Sequence, residues 1–351
     1  MVAFPDPKSR HPFHMHAMIR GQPSFLEETL RRVDQSDVGS FLGRPRRLIV
    51  TGCGTSFHAA MYGARVLQEA LPAVPVAAIH AYDLASGGFA PAKGTILGVS
   101  HSGSTPTTNR ALVRVGRRGC RTIGICGLPG TPMEEYVERT LVIGSTHDRS
   151  WANTMSFTTQ LAAFASIAER AGEPQGNAFR RAIHALPRTV QRALGCERIV
   201  RRLAGPIARR SRVTFLGSGL DEVAALEAAL KIRETCGLPA SGYHLEQFLH
   251  GPYLSIDRDE SIVMLRSRED GERSAVIERA LRAAGASVTT LGEPAGVKVV
   301  LPTIHRTLRP IVSIVSLQFL AYYAALARHA NPDIMRTDIP RLQPGVEALF
   351  H

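Results

Sequence analysis

The sequence predicts an α/β protein made of two tandem, doubly wound parallel-sheet sandwich domains, and three observations carry that prediction. The chain has 351 residues, more than one hydrophobic core usually serves, so two cores of about 150 residues each are expected. Its apolar runs, such as "TILGV" at 95–99, are continuous and alternate with helical patterns, as parallel strands covered on both faces require. The chain also repeats itself. "RLIVTGCGTS" from Arg47 and "RVTFLGSGLD" from Arg212 each run from a strand through a glycine turn into a helix. With Leu48 placed on Thr214, the same offset puts Val99 on Leu265 and Gly119 on Gly285.

Taken in order, the chain divides into an N-terminal segment and helix over 1–30, a first domain over 31–195, and a second domain with a C-terminal tail over 196–351. Each half reads strand, helix, strand, helix, strand. A later helix repeats as well, since "FTTQLAAFASIA" resembles "VSLQFLAYYAALA". The apolar stretch 311–327 carries Ser313, Ser316 and Gln318, which is short and polar for a membrane span and predicts a buried helix. The opening "MVAFPDPKSRHPFH" lacks the apolar run of a signal peptide. The five cysteines, Cys53, Cys120, Cys126, Cys196 and Cys236, are odd in number and have no C-x-x-C spacing. Both features predict a cytoplasmic location.

Net charge is +12, and only Lys8, Lys93, Lys231 and Lys298 are lysines. The arginines fall in pairs such as Arg46-Arg47, Arg117-Arg118 and Arg209-Arg210, scattered over many segments, so no nucleic-acid partner is expected. No metal is expected at His11, His14 and His16 either, because no cysteine or acid adjoins them.

Ligands of open parallel sheets bind at the carboxyl ends of strands. Two turns of small residues sit there: "GCGTS" at 52–56 and "SHSGST" at 100–105. Thr55, Ser56, Ser100, Ser102, Ser104 and Thr105 form either a set of ordinary helix caps or a hydroxyl-lined cup for a phosphate. Neither a P-loop nor a complete G-x-G-x-x-G is present, so a small phosphorylated metabolite is the expected guest rather than a nucleotide cofactor. The second half has "RSREDG" in place of "SHSGST", so one cup is expected, in the first half. In "ALEAALKIRETCG", Glu227, Lys231 and Glu234 share one helix face, as a solvent-exposed triple or as a proton-transfer site, and His250 follows in "HGP".

These motifs, together with "MHAMIRGQP" and "ANTMSFTTQL", resemble the tandem sugar isomerase (SIS) domains of the isomerase half of glucosamine-6-phosphate synthase and of related amino-sugar-phosphate deaminases and fructosamine deglycases. The resemblance implies that Cys53, Gly54, Thr55 and Ser56 with Ser100, Ser102 and Thr105 hold a sugar phosphate. It implies that Glu234 is the base moving a proton between C1 and C2, with Lys231 beside it in the catalytic set and Glu227 supporting. It also implies that His250 assists ring opening in the site of a partner subunit, making the protein a homodimer. His101 stands where synthases commonly have glutamine, as a phosphate contact or a cap of the turn. Trp151, the single tryptophan, lines the pocket or packs. Gln247 stands where synthases have an acid, no lysine follows Lys298, and no glutaminase segment is present. The expected function is therefore a cofactor-free isomerase or deaminase acting on an amino-sugar phosphate such as glucosamine 6-phosphate. A deglycase and a non-catalytic phosphosugar sensor are the alternatives.

Overall fold

A computed structural model describes residues 4–89, 91, 93–172, 176–293 and 296–348. It holds two five-stranded, wholly parallel sheets. The first comprises β1 (Leu48–Thr51), β2 (Val76–Ala78), β3 (Thr95–Ser100), β4 (Arg121–Cys126) and β5 (Arg139–Val142), in the order β2-β1-β3-β4-β5. The second comprises β6 (Arg212–Gly217), β7 (Ala240–His244), β8 (Glu260–Arg266), β9 (Ser287–Gly292) and β10 (Val299–Val300), in the order β7-β6-β8-β9-β10. The two orders are the same, which is the internal repeat seen in three dimensions. Every residue of β1 and β3 is buried, as the unbroken apolar runs require of strands with helices on both faces.

The repeat holds with one change of register. Leu48 pairs with Thr95 in the first sheet, whereas Ser261, the equivalent of Thr95, pairs with Val213 and not with Thr214. The first strand of the second half therefore starts one residue earlier than the gapless alignment places it, and β8 and β9 keep the expected offset. The glycines of the following turns agree with this correction. Gly52 and Gly217 close the two strands, and Gly54 and Gly219 follow in the left-handed region at φ +53 and +52. From that turn the helices Thr55–Ala70 and Asp221–Cys236 start.

The chain folds into two compact units. One holds the first sheet and takes Gly21–Asp148, Met155–Pro187 and residues 347–348. The other holds the second sheet and takes residues 4–20, Arg149–Thr154 and Arg188–Val346. The units are thus discontinuous in sequence where single cuts after residues 30 and 195 are expected; the division falls inside the helix Asn177–Ala193, next to Pro187.

In the first-sheet unit, Met155–Ala171 packs on Thr55–Ala70 and on the helix Gln22–Asp34. In the second-sheet unit, the helix Arg309–Ala327 packs on Asp221–Cys236 and on Glu197–Ala208. Among the described residues the segment Arg306–Ala327 is the one long and apolar enough to cross a membrane, and 89% of its most apolar window is buried inside the protein. The N-terminal histidines are bound into the second-sheet unit. His11 Nδ1 lies 2.6 Å from the Tyr322 hydroxyl, His16 Nε2 lies 2.6 Å from Glu197, and the His14 backbone N–H donates to Asp333 at 2.8 Å. Among the described residues no group of three His, Cys, Asp or Glu side chains is placed to hold a metal.

Candidate functional site

The hydroxyl cup is built at the carboxyl ends of β1 and β3. Ser100 Oγ lies 3.0 Å from Thr105 Oγ1, and Ser102 Oγ accepts from the Ser104 hydroxyl at 2.8 Å and from the Ser104 N–H at 3.3 Å. Ser56 Oγ accepts from the Gln160 amide at 3.1 Å, and Cys53 Sγ accepts from Thr108 Oγ1 at 3.7 Å. Burial pushes the Cys53 thiol above its ordinary range, so it stays a neutral lining group. Neither helix that opens at the cup, Thr55–Ala70 after Gly54 or Pro106–Gly116 after Thr105, has a side-chain hydrogen bond at its N-cap. The Thr105 hydroxyl is paired with Ser100 instead of the helix backbone, whereas the N-cap at Gly54 has no side chain to offer. Two helix N-termini, with their positive dipole ends, thus lie beside a group of hydroxyls, an arrangement suited to an anion. His101 is buried within the turn, and its ring lies over Gly127, where a Cβ would come within 2.0 Å of Nδ1.

The Glu227–Lys231–Glu234 face is not a solvated triple. Lys231 and Glu227 are fully buried, and only the Glu234 side chain keeps some exposure, 15%. Lys231 Nζ lies 3.2 Å from Glu227 and 2.5 Å from Glu234, and it donates to the Ala152 carbonyl. Burial works against the ammonium charge, but the two carboxylates outweigh it and hold the lysine above its ordinary range. A buried charge costs several kcal/mol, on the order of the whole stability of a small domain, unless it is paired this way. The helix Asp221–Cys236 carries the cluster in an almost wholly buried setting against Arg309–Ala327. The chemical consequence is a carboxylate at Glu234 that is ion-paired to its neighbour on the one side chain of the cluster that is not fully buried.

The remaining expected residues lie elsewhere. His250 is exposed at the end of the short helix Leu245–Leu249, on a different element from Glu234 and Lys231, and its N–H donates to the Gln247 carbonyl at 3.1 Å. Trp151 packs edge-on against Phe4 with ring centroids 5.2 Å apart. Its backbone N–H donates to the Asp333 carbonyl at 3.0 Å.

The equivalent corner of the second sheet has filled itself. Asp270 accepts from the Ser218 hydroxyl and from the Ser267 N–H at 2.8 Å, which are the kinds of donor a phosphate would use. Asp221, the counterpart of Ser56, takes Arg309 at 2.6 Å, and Arg309 also reaches Glu269 at 2.6 Å.

Three contributors escaped the sequence reading. Gln160 orients Ser56, and its signal was present in the repeated helix, where Gln318 stands at the matching place and donates to the Thr154 carbonyl at 3.0 Å. Asn109 holds the cup turn from behind by donating to the Gly103 carbonyl at 3.0 Å. Ala152 contributes a backbone carbonyl, which no side-chain pattern announces. It precedes Asn153, whose left-handed φ of +52 shapes that loop.

Comparison with known proteins points the same way. The SIS domain family model matches residues 41–170. The glutamine–fructose-6-phosphate aminotransferase (isomerizing) of Listeria innocua is 26% identical over 93% of this chain. The chain spans 58% of that relative's length. Among solved structures, the C-terminal domain of glucosamine-fructose-6-phosphate aminotransferase from Francisella tularensis has a TM-score of 0.84 at 20% identity, covering 94% of this chain and 100% of that one. A glucosamine-6-phosphate deaminase from Thermotoga maritima has a TM-score of 0.79 at 20% identity, covering 93% of this chain and 98% of that one. Two sheets of one topology fit two such domains in tandem. The chain carries a SIS domain over residues 41–170 and is homologous to the SIS half of glutamine–fructose-6-phosphate aminotransferase.

Proposed function

We propose that this chain is a sugar-phosphate aldose–ketose isomerase or amino-sugar-phosphate deaminase, acting on a substrate of the glucosamine 6-phosphate kind. The observation that carries the reading is the buried Lys231 ammonium clamped between two carboxylates, of which Glu234 alone keeps some side-chain exposure. A structural salt bridge has no need of a second carboxylate left open at the edge of a buried cluster, whereas a general base does. The hydroxyls of Ser100, Ser102, Thr105 and Ser56 take the phosphate, so that its binding energy is spent on positioning the sugar. Glu234 removes the C2 proton of the open-chain aldose and returns it to C1, giving the ketose-level imine. Addition of one water then releases ammonia and leaves the ketose phosphate. His250, exposed at its "HGP" turn, is assigned to ring opening in a second copy of the chain. The deaminase-like and aminotransferase-like folds among the neighbours support this reading at the level of architecture.

The test is ammonia release and ketose formation from glucosamine 6-phosphate, with Glu234→Gln beside the wild type. Turnover in the wild type should fall by about a hundredfold or more in the variant. Equal turnover in both proteins would remove Glu234 from the chemistry. Binding of the sugar phosphate without turnover in the wild type would make the chain a sensor.

A further inference from the structure

The helix Pro106–Gly116 buries Ala111, Leu112 and Val115, and turns another face toward a groove of about 810 Å³ on the first-sheet unit. The groove is lined by Arg110, Arg114, Arg117 and Arg118, and by no acidic residue. All four arginines are exposed, and none has an ion-pair partner among the described residues. In sequence they look scattered; on the helix and its C-terminal extension they stand at i, i+4, i+7 and i+8. The helix dipole favours cations near the last turn, which accounts for some of them. It does not account for Arg110 in the middle of the helix, and like charges four residues apart cost stability.

The rest of the lining is of a different character. Tyr136, 41% exposed, adds an aromatic side chain. The groove thus offers concentrated positive charge and an aromatic face. Inorganic phosphate would satisfy only the first. A ligand with several phosphates and a flat base would satisfy both, and the volume lies within the usual range for small-molecule sites. We propose that this groove binds a nucleoside polyphosphate, at a site centred on the arginines of the helix Pro106–Gly116 and adjoining the hydroxyl cup at Ser104.

The test is calorimetric titration of the full chain with ATP, tripolyphosphate and a single-stranded oligonucleotide, without divalent cations, in wild type, Arg114→Glu/Arg117→Glu, Tyr136→Ala and Ser102→Ala. The altered groove side chains are exposed, so these variants should melt as the wild type does. ATP should bind the wild type about tenfold more tightly than tripolyphosphate does. The charge reversal should weaken ATP by about tenfold or more. Tyr136→Ala should weaken ATP but not tripolyphosphate, and Ser102→Ala should leave ATP binding unchanged. Four results overturn the proposal. ATP binding that survives the charge reversal removes the groove from it, and ATP binding lost in Ser102→Ala assigns the phosphates to the cup. Tripolyphosphate as tight as ATP reduces the site to a polyanion patch. A single-stranded oligonucleotide that binds more tightly than ATP and is lost in the charge reversal makes the surface a nucleic-acid face.

Discussion

The corner where β1 meets its helix and the corner where β6 meets its helix have nearly one backbone and opposite contents. Each has a glycine at the strand's end, Gly52 just after β1 and Gly217 as the last residue of β6, then a second glycine in the left-handed region two residues on, and a helix starting within two residues of that. In the first corner the side chains are hydroxyls, and Ser56 is held by the neutral amide of Gln160. In the second the matching place is Asp221, held by Arg309, while Asp270 takes the donors of Ser218 and Ser267. Backbone N–H groups and a helix dipole draw negative charge to such a corner whatever the side chains are. The second corner meets that demand with its own carboxylates. In the first, the phosphate of the proposed substrate would meet it.

The largest effect that would test this contrast is on Arg309. Its side chain is 9% exposed and Asp221 is 3% exposed, so Arg309→Met strands a buried carboxylate. The expected loss is about 3–5 kcal/mol in urea unfolding. Gln160→Met, which removes the neutral partner of Ser56, should cost only about 1–2 kcal/mol. Similar losses at both positions would mean that the second corner is not held by charge.

A smaller pair of effects tests the shared backbone. A Cβ on Gly217 would lie 2.4 Å from the Asp221 backbone oxygen, and one on Gly52 would lie 2.9 Å from the Ser56 backbone oxygen. Both alanine substitutions should therefore lower the melting temperature, with Gly217→Ala toward the upper end of the about 1–3 kcal/mol usual for overpacking and Gly52→Ala toward the lower end. Tolerance of alanine at either position would show that strand and helix can separate there, and the two corners would no longer be equivalent.

The strands, the hydroxyl turns and the helix face carrying Lys231 were legible in the sequence because each rests on local chemistry: apolar runs, small residues at strand ends, and spacing by helical turns. The register of β6 was not. Val213 and Thr214 are both β-branched, and a strand buried on both faces has no alternation to fix which residue pairs with which. Nor could spacing decide whether Glu227, Lys231 and Glu234 face solvent or the interior, since any i, i+4 triple looks the same until a second helix covers it. The cover is Arg309–Ala327, whose apolar run was visible but whose docking partner was not. Ala152 was invisible because its contribution is a carbonyl. The arginine groove was hidden because its residues converge only once the span of the helix Pro106–Gly116 is known, although the pair Arg117-Arg118 was in view.

The finest difference between the corners is one of protonation. His101 in the first corner corresponds to Ser267 in the second, so only the first contains a group that titrates near neutrality. Burial lowers the His101 pKa below 6.5, Asp148 pulls it part of the way back, and His147 adds to the lowering. The folded state therefore prefers the neutral ring more strongly than the unfolded chain does. The stability this contributes is complete above pH 6.5, the ordinary value, and is lost as the pH falls through the lowered folded value. His101→Gln has no such proton to take up, so its melting temperature should drop less than that of the wild type between about pH 8 and about pH 5.5. The wild-type loss arises because the unfolded chain takes up a proton that the buried ring in the folded turn resists. If the two proteins instead lose stability in parallel, the acid sensitivity lies outside the cup turn, and the corners differ in charge but not in proton uptake.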